Sequence, residues 1–341
     1  MPAWNAVVIV GAGGAIGRAV LDEILAGAKS SRIVLTSRSG RLAGLPTSNS
    51  SSIEVVPLDM VKGKEDDLAK ICENVKPDIL FSCIGLPRYH VKSWGPGWPK
   101  IADRLLLACK QTSVPLIFMD NLYMFGQPGM ARMPLREQDA EFLAGGTNSK
   151  PEVRAAIERQ FLAASEAGDA KLALVRASDF FGPRVNASVL NLIWTDVVKG
   201  KKPSLLGDPT TIHSQTFVPD IARAIVLVAE NPDTWGRAWH APPTLPDRSV
   251  LDWLRDIYRI NDKPHEGKLK YMALSDGVLL RMLSFFSETV DGLRDTMYMW
   301  KEDFTVSAAD FEARFPDFKS TPLEEAMQIT NKWVSETVSS H

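Results

Sequence analysis

Short apolar runs alternate with amphipathic stretches through the first half of the chain. The runs lie at 6–10, 32–35, 53–56, 78–82, 115–119 and 171–175. Because they are apolar at nearly every position, they predict strands that are buried on both faces of a parallel sheet. Stretches with helical spacing separate them, at 15–28, 64–75, 100–111 and 152–168. This alternation predicts an α/β fold with a Rossmann-type doubly wound parallel sheet.

The rhythm changes after Pro183. A helix at about 187–199 is followed by a stretch rich in glycine and proline, and further helices follow a cluster of tryptophans. We therefore expect a dinucleotide-binding Rossmann domain at 1–183. Residues 184–341 are expected to form a smaller, mostly helical substrate-binding region, in which 214–230 returns to the Rossmann sheet because it repeats the strand-then-helix pattern.

Composition narrows the class of protein. The chain has 341 residues, is 45% hydrophobic and carries a formal net charge of -2. These values are typical of a globular protein and point to neither nucleic acid nor an anionic membrane as a partner. The three cysteines have no paired spacing, which argues against disulfides and a metal site. Without a signal-like N-terminus or a spanning segment, we expect a cytoplasmic protein. We also expect a monomer or homodimer that binds a small molecule.

The sharpest motif follows the first strand, where VVIV runs into GAGGAIG. Gly11, Gly14 and Gly17 are three residues apart, and Ala15 and Ile16 open the next helix. Glycines let the backbone turn sharply and come close to a pyrophosphate, which the N-terminus of the helix then binds. Between a buried strand and a helix, this spacing predicts a dinucleotide site.

The next two strand ends bear on the adenosine part of such a ligand. The second strand ends in Ser37 and Arg38, with no acidic residue to bind the ribose hydroxyls. Arg38 can bind a 2′-phosphate, so NADP(H) is favoured and NAD(H) stays possible, although a solvated arginine is the alternative. Asp59 and Met60 follow the third strand and can contact the adenine, unless Asp59 only caps a helix.

Six segments in order carry a family resemblance: GAGGAIG, LDM, FSCIG, DNLYMFG, LVRASDFFGP and TFVPDIARAI. Over roughly residues 6–230 the chain resembles the extended and atypical short-chain dehydrogenase/reductases, in the NAD-dependent epimerase/dehydratase branch. The resemblance implies an NAD(P)-dependent oxidoreductase or epimerase. It also implies that Cys83, Ile84 and Gly85 line the nicotinamide ribose.

The resemblance fails at the family's catalytic residues. Asn121 stands where the family has the Ser or Thr that holds the substrate oxygen. If Glu158 matches the usual glutamate, Arg154 stands at the lysine and Lys150 at the tyrosine of the family's Y-x-x-x-K motif. The usual proton donor is therefore missing.

Four residues are the candidate catalytic groups. Asn121 can donate a hydrogen bond, and Lys150 and Arg154 can supply positive charge. Lys150 can also give a proton if its surroundings lower its pKa. Tyr123 is the nearest phenol and serves either as a proton donor or as a wall of the site.

Further residues are expected to border the substrate. They follow the fourth strand or lie on the cleft floor that the resemblance implies: Arg88, Tyr89, His90, Asp179, Phe180 and His213. The alternatives are a solvated His90 and an Asp179 that organises a loop. Gln215 stands where nucleotide-sugar enzymes of this branch carry a diphosphate-binding arginine, so a nucleotide-sugar substrate is not expected.

The sequence leaves three functions open. The favoured one is NADP(H)-dependent reduction of a carbonyl or enone in a small, largely apolar metabolite. The first alternative is an epimerase or isomerase that uses transient oxidation on the same scaffold. The second is a redox-silent NAD(P) sensor, since regulatory relatives of this family also lack the Tyr/Lys pair.

Overall fold

The computed structural model describes residues 3–45, 51–139, 142–244, 247–263, 269–274 and 292–340. The strands are β1 (Trp4–Val10), β2 (Ser30–Ser37), β3 (Ser52–Pro57), β4 (Ile79–Ser82), β5 (Leu116–Asp120), β6 (Leu172–Arg176), β7 (Asp179–Phe181), β8 (Ser204–Leu206), β9 (Gln215–Phe217), β10 (Ala238–His240) and β11 (Met272–Leu274). Seven of them form one parallel sheet in the order β10-β6-β5-β4-β1-β2-β3. This is the doubly wound sheet that the hydrophobic pattern predicts, and the fold class is confirmed.

Helices cover both faces of the sheet. They are α1 (Ala15–Ala26), α2 (Asp67–Val75), α3 (Val91–Thr112), α4 (Lys150–Glu166), α5 (Val189–Val198), α6 (Val218–Ala229), α7 (Val250–Ile260), α8 (Ala309–Arg314) and α9 (Leu323–Ser339), with 3-10 turns at Tyr123–Phe125, Gln127–Arg132, Pro232–Thr234 and Met297–Trp300. Helices α1 and α6 pack on one face, and α2, α3 and α4 pack on the other. No described helix is both long and apolar enough to cross a membrane.

Helix α3 is longer than the sequence pattern predicts. The prediction begins at 100, but the helix begins at Val91 and continues through Pro96 and Pro99. Trp94 and Trp98 lie one helical turn apart, are both buried, and pack edge to face with ring centroids 5.8 Å apart. Burial of these two indoles stabilises a helical turn that its prolines alone would disfavour.

The C-terminal region has its own core. Helices α5, α7 and α9 pack together around large apolar side chains such as Trp194, Trp253 and Met327. Two short parallel ribbons, β7 with β9 and β8 with β11, lie outside the central sheet.

The expected return of 214–230 to the Rossmann sheet needs correction. Helix α6 does pack against the sheet beside α1, but β9 pairs with β7 instead of joining the sheet. The position next to β6 is filled by β10, whose His240 pairs with Arg176 in the ladder. The edge of the sheet is thus covered by a strand that the sequence pattern did not reveal. The division into two domains stays a prediction.

Candidate active site

The loops after β1 and β4 meet where the strand order of the sheet reverses. Strand β1 lies between β2 and β4, which is the usual position of a ligand crevice in such sheets. Gly11 has φ +85°, and a Cβ there would lie 2.7 Å from backbone atoms of Cys83 and Ile84. Only glycine allows the two loops to approach this closely.

The glycine loop fits a dinucleotide pyrophosphate. A Cβ on Gly17 would lie 2.4 Å from the carbonyl oxygen of Gly11, so helix and loop pack without a side chain between them. Gly14 caps α1 and is exposed, and no side chain caps the helix. The first-turn N–H groups at Ala15 and Ile16 are therefore open to an anion.

On the adenosine side, Ser37 and Arg38 have different surroundings. The Ser37 hydroxyl bonds both the N–H and the carbonyl of Arg41 at 3.0 Å and so holds the turn after β2. Arg38 is exposed, which leaves it accessible to a phosphate. Leu42, which the motif search did not single out, lies 3.1 Å from the Cβ position of Gly13 and packs over the glycine loop.

Asp59 and Met60 form the opposite side of this region. Asp59 accepts hydrogen bonds from the N–H groups of Val61 at 2.9 Å and Lys62 at 2.8 Å. The N–H of Lys62 is the main cause of the lowered pKa of Asp59, so this carboxyl group stays ionised. Met60 is buried. Asp59 therefore organises the loop after β3 and still has a second carboxylate oxygen for an adenine amino group.

The segment after β4 can contribute backbone groups to the site, but its cysteine thiol is not reactive. The Cys83 N–H donates to the Val10 carbonyl at 2.9 Å, which continues the β1–β4 pairing. Burial raises the pKa of the Cys83 thiol to about 12, so it is not a nucleophile at neutral pH. Gly85 is exposed, and a Cβ there would meet nothing within 4 Å.

Asn121 lies at the carboxyl end of β5. Its backbone N–H donates to Asp120 at 2.6 Å, and its side-chain oxygen accepts from the Tyr123 N–H at 3.0 Å. The amide oxygen is thus used within the turn. The amide N–H₂ is the part of Asn121 that can hold a substrate oxygen, in place of the family's hydroxyl.

Arg154 belongs to the core more than to the cleft. Its guanidinium forms a buried ion pair with Asp120 and lies 4.2 Å from the centroid of the Trp98 ring. Arg154 is 1% exposed. Its charge is balanced by the carboxylate of Asp120, a residue for which the sequence favours a structural hydrogen-bonding role over that of a base.

Lys150 is fully buried under an aromatic ring. Its Nζ lies 3.6 Å from the Tyr89 ring centroid and donates to the carbonyl of Gly292. Its backbone N–H lies 3.3 Å from a carboxylate oxygen of Asp295. The residue predicted to stand at the family's tyrosine position is therefore covered by a C-terminal segment that carries no motif of the site.

Tyr123 is the phenol that the site offers. Tyr89 donates a hydrogen bond to the Tyr123 hydroxyl at 2.8 Å and lies 3.3 Å from the Thr296 hydroxyl. Burial raises the pKa of Tyr123 well above its usual value. Tyr123 stays protonated at neutral pH, and because it accepts from Tyr89, its own proton can go to another oxygen.

Asp179 and His213, which were singled out separately, lie in contact. The His213 Nε2 is 2.7 Å from Asp179 Oδ2, and its Nδ1 is 3.1 Å from the carbonyl oxygen of Met299. The imidazole is fully buried and stacks on Trp300 with centroids 3.7 Å apart. Phe180, the next residue of β7, packs instead against the core of the main sheet.

The three candidate substrate-binding residues in the loop after β4 have different surroundings. His90 is buried, and its Nδ1 accepts from the Lys92 N–H at 3.0 Å, so it caps α3 and the expectation of a substrate-binding His90 is not supported. Arg88 is exposed, and its carbonyl accepts from Trp94 at 3.1 Å. Tyr89 is the residue of the three that reaches Tyr123. Within the described part of the chain, no group of acidic, His or Cys residues is arranged to hold a metal.

Comparisons with known proteins agree on the fold. The chain is 20% identical to UDP-N-acetylglucosamine 4-epimerase from Methanobrevibacter ruminantium, covering 99% of this chain and 100% of that one, with a TM-score of 0.74. UDP-glucose 4-epimerase from Thermotoga maritima gives 14% identity, 98% and 99% coverage and a TM-score of 0.77. dTDP-glucose 4,6-dehydratase from Bacillus anthracis, solved with NAD, gives 14% identity, 97% coverage of each chain and a TM-score of 0.74.

Sequence comparison supplies the family. No curated protein gives a significant match. Residues 7–240 match the NAD dependent epimerase/dehydratase family, which covers the glycine loop, the strand ends described above and α4. The expected nicotinamide dinucleotide enzyme of the short-chain dehydrogenase/reductase superfamily is confirmed at this level. The chain belongs to the NAD dependent epimerase/dehydratase family.

Proposed function

We propose that the protein exchanges a hydride between a bound nicotinamide dinucleotide and an alcohol or carbonyl carbon of a small substrate. Family membership favours epimerisation by transient oxidation, in which the dinucleotide ends in its starting redox state. The carrying observation is that Tyr123 accepts a hydrogen bond from Tyr89 and keeps its own proton, two residues after Asn121, to whose side chain its backbone N–H is bonded. In this proposal Tyr123 is the proton carrier in place of the family's tyrosine, which this chain lacks.

The side chains then divide the work. The amide N–H₂ of Asn121 binds the substrate oxygen, and Tyr123 exchanges a proton with that oxygen. The backbone at Cys83–Gly85 holds the nicotinamide ribose, and the open first turn of α1 binds the pyrophosphate. A bound nicotinamide supplies the hydride acceptor and donor.

Net reduction is the second candidate. Burial keeps the pKa of Tyr123 well above its usual value, so the phenol is present at neutral pH in the protonated form, which can donate but cannot accept a proton. A reductase needs only donation to the developing alkoxide, whereas an epimerase needs both directions.

The substrate is proposed to lack a nucleotide diphosphate. All three solved structures reported above are named for enzymes of nucleotide-sugars, but identities of 20%, 14% and 14% carry only the fold. Gln215 occupies the position of the family's diphosphate-binding arginine and is buried. The aromatic surroundings of Tyr89, Trp94 and Tyr123 fit a largely apolar metabolite.

NADP(H) is the proposed form of the cofactor. Arg38 is exposed at the end of β2, and no carboxylate occupies that strand end to select the ribose hydroxyls. Calorimetry should show NADPH bound more tightly than NADH, and Arg38→Ala should narrow the difference about tenfold. Arg32→Ala, which removes an exposed arginine at the other end of β2, is the matched control. Tighter binding of NADH by the wild type would refute the assignment.

The location is proposed from the cysteines. Cys72, Cys83 and Cys109 are all unpaired. Free thiols fit a reducing compartment such as the cytoplasm.

One experiment separates the candidate functions. Purified protein is mixed with secondary alcohols and ketones while nicotinamide absorbance and product stereochemistry are followed. Turnover with a catalytic amount of dinucleotide and inverted product supports the epimerase. Stoichiometric consumption of NADPH supports the reductase. Tight dinucleotide binding without hydride exchange across the panel contradicts both enzymatic functions and supports the redox-silent dinucleotide sensor.

A further inference from the structure

Strands β7 and β9 place two polar side chains on one face. They pair in parallel with Asp179 opposite Gln215 and Phe180 opposite Thr216. Opposite residues in such a ladder point to the same face, and faces alternate along each strand. Asp179 and Gln215 therefore share a face, and His213, two residues before Gln215, shares it too, in agreement with its contact to Asp179.

Gln215 carries a buried oxygen that lacks a partner. The residue is 2% exposed, and no described residue bonds its Oε1. Buried polar atoms are nearly always satisfied, and an exception is explained by strain, by a functional role or by a bound water, ion or ligand. A hydrogen-bond donor from outside the chain is the partner that this oxygen fits.

His213 orients Asp179 but offers nothing to an anion. Its Nδ1 faces the carbonyl of Met299, which can only accept, so Nδ1 carries a proton. Its Nε2 lies 2.7 Å from Asp179 Oδ2, so the second ring nitrogen also has a partner within the chain. Among the described residues nothing bonds the other carboxylate oxygen, Oδ1. The face thus presents an acceptor at Asp179 and another at Gln215.

Asp179 lies within electrostatic range of the proposed proton carrier. After burial, its negative charge is among the causes that raise the pKa values of Tyr89, Tyr123 and Tyr298. Its side chain is 23% exposed, whereas His213 is fully buried. A group bound to the exposed part of Asp179 would therefore lie in the same region of the molecule as Tyr123.

We propose that the substrate presents a hydrogen-bond donor, a hydroxyl or an ammonium group, to an acceptor floor formed by Asp179 and Gln215. The proposal rests on the active site assigned above, and it gives Gln215 a role different from that of the diphosphate-binding arginine of nucleotide-sugar enzymes. A phosphate would meet the Asp179 carboxylate and the Gln215 amide oxygen, both acceptors, and the negative charge of the carboxylate would repel it. A hydroxyl or ammonium group supplies the missing donor.

The test compares head groups on one apolar body. Protein saturated with NADPH is titrated calorimetrically with benzylamine, benzyl alcohol and benzyl phosphate. The amine or the alcohol should bind at least tenfold more tightly than the phosphate. Asp179→Asn should weaken benzylamine more than benzyl alcohol if the floor takes an ammonium group, and should weaken the alcohol at least as much if it takes a hydroxyl. Gln215→Leu should weaken the better probe tenfold.

Controls keep the result interpretable. Each variant must bind NADPH as the wild type does, and Asp233→Asn, at an exposed carboxylate on another surface, should change no probe affinity. Asp179→Asn combined with Gln215→Arg should reverse the order in favour of benzyl phosphate. The proposal is overturned if the phosphate binds best to the wild type, if no probe binds at 10-millimolar scale, or if the variants bind like the wild type. Probe binding does not require hydride transfer, so a failure of the proposed reaction leaves this test intact.

Discussion

Lys150 and Arg154 are predicted to stand at the family's tyrosine and lysine, and the two cations have different surroundings. Arg154 is neutralised by Asp120 and stacks on Trp98 inside the core. Lys150 lies under Tyr89 with its ammonium on a backbone carbonyl. Arg154 therefore orders the end of β5, whereas Lys150 remains the cation beside the aromatic wall of the site.

Tyr123 is testable as the proton carrier. Tyr123→Phe should lower single-turnover hydride transfer by about 10²–10⁴, the usual cost of losing a general acid. NADPH affinity should stay unchanged, since the phenol lies outside the cofactor cradle. Tyr258→Phe, which removes a hydroxyl bonded to the Lys270 carbonyl in the C-terminal region, is the control and should keep full rate. An unaltered rate in Tyr123→Phe would reduce Tyr123 to a wall residue.

The Asp120–Arg154 pair predicts a double-mutant cycle. Arg154→Met leaves a buried carboxylate unpaired and should lower the free energy of unfolding by about 3–5 kcal/mol. Arg154→Lys should also be harmful, because a point charge reproduces neither the fork nor the stack on Trp98. Asp120→Asn with Arg154→Met should recover much of the loss in urea unfolding. Additive losses would mean that the two side chains act independently.

At the residue scale, the sequence identified individual candidate residues better than it identified which of them contact one another. Asp179 and His213 were both candidates, but they are 34 residues apart and meet only because β7 pairs with β9 in one register. A structural role is favoured for Asp120, but its partner, an arginine in α4, cannot be identified from the sequence. His90 resembled a reactive histidine, but its N-cap geometry depends on a helix start that the prolines concealed.

At the element scale, the sequence predicted correctly those helices, strands and loops whose own residues determine their structure. The glycine loop and strands β1 to β6 follow directly from apolar runs and glycine spacing. Strand β10 is three residues long and is selected by tertiary contacts, among them the Glu137 carboxylate that accepts the His240 N–H at 3.2 Å. Such an element has too little pattern to be found without its neighbours.

Two glycines of the cofactor site should respond oppositely to alanine. Gly17→Ala places a methyl group 2.4 Å from the Gly11 carbonyl, so it should lower the free energy of unfolding by about 1–3 kcal/mol and weaken dinucleotide binding. Gly85→Ala meets open space and should leave stability unchanged. If Gly85 faces the nicotinamide ribose, its alanine variant should still bind NADPH more weakly. Equal stability losses in the two variants would contradict the packing described for the loop.

At the scale of the whole molecule, one buried charge cluster joins the sheet to helix α4. Arg176 of β6 bonds Glu158 at 2.5 Å and lies 3.3 Å from the His240 ring of β10. Asp120 and Arg154 form the second pair beside it. The family match ends at 240, whereas the fold similarity covers 98% of the chain, so the C-terminal region keeps the architecture without a recognisable sequence signature.

The cluster predicts how stability depends on pH. Burial raises the pKa of Glu158 to about 8, and the nearby Asp120 adds to the rise while Arg176 opposes it. The folded chain therefore holds a proton that the unfolded chain releases near the ordinary glutamate value of about 4.3. A group raised in this way contributes stability that is complete below its unfolded pKa and is lost as pH rises through its folded pKa.

Glu158→Gln should remove this pH dependence, because glutamine keeps the neutral form at every pH. Urea unfolding between pH 5 and pH 9 should show the variant gaining on the wild type as pH rises, by about 1.4 kcal/mol per unit at most. Glu324→Gln is the control. Arg259 lowers the pKa of the exposed Glu324, so its contribution is lost only in acid and the offset should be constant over this range. A flat difference between wild type and Glu158→Gln would show that Glu158 is ionised throughout. The cluster would then be two compensated ion pairs, Asp120 with Arg154 and Glu158 with Arg176, that stabilise the fold without holding a shared proton.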